Sequence, residues 1–200
     1  MKSFSKAASI VFHPIFLFFY LYLAYWLLHP YPSYQLNFPG IALISSVLFL
    51  NTVLMPILFL VLGKRKLVNQ NRVERQSSLL VMALMYGMTY YFFPEKFIPD
   101  YLRIGLLAMV CTSIIAFITT QFFKISLHSM GWGGVVAIFL YLLFVYGGVF
   151  FYPLLVVVLL AGLIGFCRLY LLAHEPREVY WGYSCGFGLT FFFLYWILRS

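Results

Sequence analysis

An all-α, polytopic membrane bundle of about seven transmembrane helices, forming one domain over residues 1–200, is the architecture this sequence predicts. Three observations carry that expectation. Of 200 residues, 64% are hydrophobic and 9% are charged, whereas soluble domains hold roughly a quarter charged residues. The mean hydropathy is +0.97. The apolar residues also arrive in runs close to the roughly 20 residues that a bilayer's hydrocarbon layer takes per helix. Seven such runs use about 140 positions and leave no room for a second domain. The composition excludes a soluble globular domain, a disordered tail and a disulfide scaffold. Cys111, Cys167 and Cys185 each sit inside an apolar stretch and read as core fillers.

Punctuation sets each run. The first covers residues 10–28, behind an N-terminus carrying Lys2 and Lys6. It is too long for the apolar core of a signal peptide, and no small-x-small cleavage site follows. It therefore reads as a retained helix with His13-Pro14 near its start. The second run, 41–62, stops at Gly63-Lys64-Arg65-Lys66, and the short third, 79–93, stops at Pro94. The fourth, 102–123, ends at Lys124, and the fifth runs from Ser129 to Gly147-Gly148. The sixth spans 151–172. The seventh, 176–198, opens on Pro176, whose missing N–H is harmless in a first turn.

The net charge of +8 comes from 13 Lys/Arg against 5 Asp/Glu. The basic residues lie between apolar runs, so membrane lipids and phosphate ligands are the expected partners, and nucleic acid is not. No protein partner can be inferred. Seven crossings put the N-terminus on one face with the loops after the second, fourth and sixth helices. That face holds ten basic residues: Lys2, Lys6, Lys64, Arg65, Lys66, Arg72, Arg75, Lys124, Arg168 and Arg177. The other holds three, Lys96, Arg103 and Arg199. The positive-inside rule places the richer face in the cytoplasm.

Ionisable groups at a bilayer's edge mark function by default, and three clusters share the basic face. They are Asn71-Arg72-Val73-Glu74-Arg75, then Lys124-Ile125-Ser126-Leu127-His128, then the stretch from Arg168 through His174 and Glu178 to Gly182. Taken singly, each has a plain reading. Arg72 and Arg75 anchor a helix end in lipid phosphates, a lone histidine is hydrogen-bonded structure, Arg168 snorkels, and Glu178 favours a helix N-terminus. Taken together, two histidines, several cations and one carboxylate converge. Carboxylates are too few and too poorly spaced for a metal cage, so neither metal nor other cofactor is expected. Cations, a hydroxyl and helix N-termini make a receptor for phosphate, and two histidines beside it can divide nucleophile from general acid.

The third cluster reads Arg-x5-His-x3-Glu-Val-x2-Gly. It resembles the Ser-Arg-x5-His-x3-Asp signature of the type 2 phosphatidic acid phosphatase superfamily, in which a Gly follows closely. Ile125-Ser126-Leu127-His128 resembles that family's Pro-Ser-Gly-His, and the resemblance extends over residues 64–183. Small seven-span bacterial members are the most similar branch. Departures are specific: Leu127 replaces Gly, Cys167 replaces Ser and Glu178 replaces Asp. The family's Lys-x6-Arg-Pro has no unique register here. Arg65 and Arg72 keep the spacing with Arg for Lys and Val73 for Pro, while Arg75 is followed by Gln76 and has Val68 in the Lys position.

The resemblance implies an integral, multi-pass lipid phosphatase of a bacterial inner membrane, working without metal through a phosphohistidine. It implies that His174 attacks phosphorus, that Glu178 orients it, and that His128 protonates the leaving group and then activates water. Arg168, Lys124, Ser126 and one or both of Arg72 and Arg75 would hold the phosphate oxygens. Two rival readings are a lipid phosphotransferase and a non-catalytic lipid-binding or structural membrane protein derived from a phosphatase. Glycines 131, 133 and 134 are expected to let the fifth helix pack closely.

Overall fold

In a computed structural model, residues 1–28, 38–64, 72–93, 98 and 100–197 are described, and every regular element among them is helical. Helices α1 (Lys2–Val11) and α2 (Pro14–Leu28) meet at a bend of 63°. The single helix expected over 10–28 is thus two helices, and Pro14 is the cause. It has no N–H for the carbonyl of Ile10, its ring crowds that carbonyl, and it drives His13 out of the helical region. Next comes a rod of α3 (Phe38–Phe49), one π-helical turn (Leu50–Leu54) and α4 (Met55–Leu62). The widened turn directly precedes Pro56, where the chain must do without an N–H donor.

Helix α5 (Arg72–Phe92) starts about two turns before the expected position, so Arg72, Glu74 and Arg75 lie on the helix rather than ahead of it. Then follow α6 (Asp100–Thr119), α7 (Leu127–Tyr146), α8 (Phe151–Tyr170) and α9 (Pro176–Ile197). A 3-10 turn, Gly147–Phe150, joins α7 to α8 and begins with Gly147 at φ +73°, a conformation that any Cβ resists.

Among the described residues, three stretches are long and apolar enough to cross a membrane: Gly40–Leu62, Asp100–Thr119 and Leu127–Tyr170. The bent pair α1–α2 makes a fourth if it counts as one span. The third stretch holds 44 residues and doubles back, because His128 near its start and Arg168 near its end line one cavity. The tally is lower than seven for a physical reason. Helices α5 and α9 have the length, 21 and 22 residues. Their apolarity is diluted by Arg72, Glu74 and Arg75 in one, and by Arg177, Glu178 and several Tyr, Trp and Gly residues in the other.

The interior of the bundle is closed by fully buried Phe18, Tyr22, Leu48, Leu106, Ile164 and Leu194. Large apolar side chains such as Leu84, Phe92, Ile118, Leu159 and Trp196 face outward. Apolar exposure on that scale suits hydrocarbon rather than water. The tightest contact in the bundle is between α7 and α9. A Cβ on Gly182 would stand 2.7 Å from the Ser126 carbonyl, and one on Gly133 would stand 2.6 Å from the Tyr183 carbonyl. A Cβ on Gly186 would collide with the backbone of Met130. Small residues therefore let the two backbones touch. The expectation for residues 131, 133 and 134 holds, with Gly131 receiving Leu17 of α2 and Gly134 receiving Thr190 of α9.

Candidate active site

The α7–α9 contact brings the second and third sequence clusters together. Ser126 is the N-cap of α7, where its Oγ accepts the Ser129 N–H at 3.4 Å and the Ser129 hydroxyl at 2.9 Å. Its own N–H donates to the Glu178 carbonyl at 3.1 Å, tying the start of α7 to the first turn of α9. His128 follows in the first turn of α7 and is buried. Its Nε2 lies 2.9 Å from the Ser9 carbonyl of α1, 119 residues away in sequence. A carbonyl only accepts, so the proton of that bond sits on Nε2.

The end of α8 is closed by a turn in which Ala173 N–H donates to the Arg168 carbonyl at 3.1 Å and Leu172 N–H to the Leu169 carbonyl at 2.9 Å. Leu172 takes the left-handed position, φ +51°, that glycine usually occupies in this motif. The turn swings Ala173 and His174 back under α8. Lys124 Nζ donates to the Ala173 carbonyl at 2.6 Å, fastening the loop before α7 to the loop before α9. His174 Nδ1 donates to Glu178 Oε2 at 2.6 Å, one helical turn away. The same carboxylate oxygen accepts the Glu175 N–H at 3.2 Å, which caps the start of α9 and fixes Glu178 before any ligand arrives.

The first cluster joins through α5. Arg75 is buried and donates through Nη2 to the Ile125 carbonyl. Arg72 begins the same helix, and its side chain lies outside the described residues. One cavity of about 250 Å³ is lined by Arg75, Lys124, His128, Arg168 and His174 together with His13, Ser78 and apolar neighbours. Ser126 is not among the lining residues, because its hydroxyl is engaged in the helix cap.

The electrostatics are one-sided. Among the described residues, three cations and three imidazoles line the cavity and no carboxylate does, and the first turn of α7 opens on it. Arg168 is 4% exposed, yet its Nε and Nη1 have no acceptor, and neither does Nε of Arg75 at 7% exposure. Buried guanidinium donors without acceptors are costly and call for an anion. Burial, opposed by the charge of Glu178 and helped by that of Arg168, lowers the pKa of Arg75 to about 10, which leaves it cationic near neutrality. Burial, then the charges of Arg168, Lys124 and Arg75, push the His174 pKa below its ordinary value. His174 is thus a neutral imidazole near pH 7, with Nδ1–H held by Glu178 and the Nε2 lone pair available. A neutral imidazole nitrogen with a free lone pair, a carboxylate behind it, a second imidazole and anion-seeking cations in one pocket are chemically able to bind a phosphate group and to support its transfer.

Two lining residues were not anticipated. His13 reads in sequence only as punctuation before Pro14, yet its ring meets that of His128 edge to face with centroids 4.9 Å apart. Ser78 lies one turn past Arg75 on a helix whose start sequence reasoning placed too late. Comparison of the chain with protein-family models, with curated proteins and with solved structures found no match.

Proposed function

We propose that this protein is an integral, multi-pass membrane lipid phosphatase that hydrolyses a phosphomonoester or diphosphate of a lipid through a phosphohistidine intermediate. The observation that carries the reading is that Arg75 and Arg168, buried guanidiniums with donors that lack an acceptor, line the cavity that His174 and His128 share. Arg75, Lys124 and Arg168 hold the equatorial phosphate oxygens, with Ser126 acting through the N-terminus of α7 that it caps. His174 Nε2 attacks phosphorus, and Glu178 stabilises the positive charge that grows on the ring. His128 protonates the departing oxygen and then takes a proton from the water that cleaves the N–P bond.

A lipid substrate is supported by a second, smaller cavity of about 60 Å³ that shares His13, Leu79, Met82 and Leu127 with the first. It continues between α2, α5, α6 and α7 past Leu17, Tyr86, Met109 and Ala116, an apolar course suited to the start of an acyl or prenyl chain. The resemblance of the motifs to bacterial inner-membrane phosphatases favours that membrane, and the charge asymmetry alone favours a site on its cytoplasmic face, opposite to where many members of that family carry it. The test is phosphate release from a panel of lipid phosphates by the purified protein and by His174→Ala. Release by the parent and none by a folded variant is expected, and full activity in the variant overturns the assignment. Transfer only to an added alcohol would make the protein a phosphotransferase, and neither reaction would leave a lipid-binding relic.

A further inference from the structure

Two of the three imidazoles of the cavity, His174 and His128, are held from opposite directions and by different kinds of acceptor. His174 is held at Nδ1 by a carboxylate, which leaves Nε2 to react. His128 is held at Nε2 by the Ser9 carbonyl, which leaves Nδ1. The acceptor comes from α1, whose buried face of Ser5, Ala8 and Ser9 packs against α8. His13, at the bend that ends α1, lays its ring edge to face against His128 and lines the same cavity. Its Nδ1 accepts the Ile15 N–H at 3.3 Å, so His13 also caps α2.

We propose that the N-terminal segment of α1 and His13 is a positioning device that makes Nδ1 the working nitrogen of His128. Ser9 fixes the proton on Nε2, and the His13 ring prevents His128 from turning over. This rests on the phosphatase reading for the identity of the proton's destination. In the first step the Nε2–P bond of His174 forms and the P–O bond to the leaving group breaks. The Nδ1 proton of the His128 imidazolium passes to the departing oxygen, and the other proton stays on Nε2 against Ser9. In the second step a water oxygen bonds to phosphorus, the N–P bond breaks, and bare Nδ1 takes the water's proton. Phosphate leaves, and His128 is again an imidazolium ready for the next leaving group. Holding a ring by one nitrogen so that the other reacts is how a backbone carbonyl or carboxylate commonly sets a histidine tautomer.

The discriminating variants separate ring from cap. His13→Asn keeps an acceptor for the Ile15 N–H, as asparagine is a strong N-cap, but removes the ring. His13→Phe keeps a ring and removes the acceptor. An alkyl phosphate needs its leaving oxygen protonated and a nitrophenyl phosphate does not. The ratio of kcat/KM for the nitrophenyl over the alkyl ester is therefore expected to rise about tenfold or more in His13→Asn, within the range general acids supply. In His13→Phe it should return toward the parent value. Equal losses on both esters in His13→Asn would overturn the proposal. Histidine 15N resonances of the full chain in detergent micelles give a second readout that needs no turnover. His128 is expected as the Nε2–H tautomer at a pH where it is neutral, and an Nδ1–H tautomer would overturn the proposal. If the parent cleaves neither ester, the phosphatase reading fails while the tautomer still decides this one.

Discussion

The two sides of the cavity are built on contrasting principles. On the α8–α9 side, Arg168, His174 and Glu178 make a charged arrangement in which a carboxylate backs the His174 ring at 2.6 Å. On the α1–α7 side, Ser9, His13 and His128 meet without a carboxylate, and the acceptor behind the His128 ring is a peptide carbonyl at 2.9 Å. A full negative charge stabilises a ring that turns positive for as long as it carries phosphorus, as an Nδ1-protonated phosphoimidazole does. A carbonyl holds direction without trapping a proton, which suits a ring that must release and regain one in each cycle. Under the proposed phosphatase reading, acceptor charge rather than the imidazole itself assigns the two roles.

The contrast can be broken most severely at Glu178. Glu178→Gln removes the charge but keeps the reach, and kcat is expected to fall about 10⁴-fold on alkyl and nitrophenyl esters alike, the scale seen when a triad carboxylate is neutralised. A loss confined to the alkyl ester would move Glu178 to the proton-transfer side. His128→Ala comes next, with an expected fall of about 10³-fold on an alkyl phosphate. The fall should be smaller for phosphoenzyme formation from a nitrophenyl ester, measured as a burst. A variant that loses the burst altogether would show that the ring takes part in attack rather than in proton transfer.

The smallest effect concerns pH. The His174 pKa is lowered in the folded protein by burial and by the three neighbouring cations. The unfolded chain then takes up this proton more readily than the folded one. That contribution to stability is fully present above about pH 6.5 and is lost as pH falls through the folded value. Unfolding midpoints in detergent should therefore decline below about pH 6.5 in the parent and decline less in His174→Ala. Equal slopes would remove the electrostatic half of the contrast.

Much of the α8–α9 side was legible in the sequence because it is local. Arg168, His174 and Glu178 fall within a dozen positions, and the turn and the capping carboxylate that unite them are short-range. Most helices too were visible as apolar runs; the departures are α1, a separate helix over Lys2–Val11 bent away at Pro14, and the early start of α5, where arginines mask helical character in a hydropathy reading. The α1–α7 side was not legible, since a carbonyl carries no residue signature and Ser9 lies 119 positions from His128. His13 announces only a bend beside Pro14, and nothing in one sequence says toward which ring that bend points. Ser126 shows the converse limit: residue type suggested a phosphate ligand, whereas local geometry gives its hydroxyl to a cap.

The glycine seam between α7 and α9 leaves the pair no freedom to slide or rotate against each other. The other walls of the cavity, from α2, α4, α5 and the end of α8, lie outside this spine, and any opening of the cavity falls to them. The seam also sets a harsh mutational rule. Position 186 faces the Met130 backbone with no room even for a methyl group, so inherited change there can come only in concert with a shift of the whole spine.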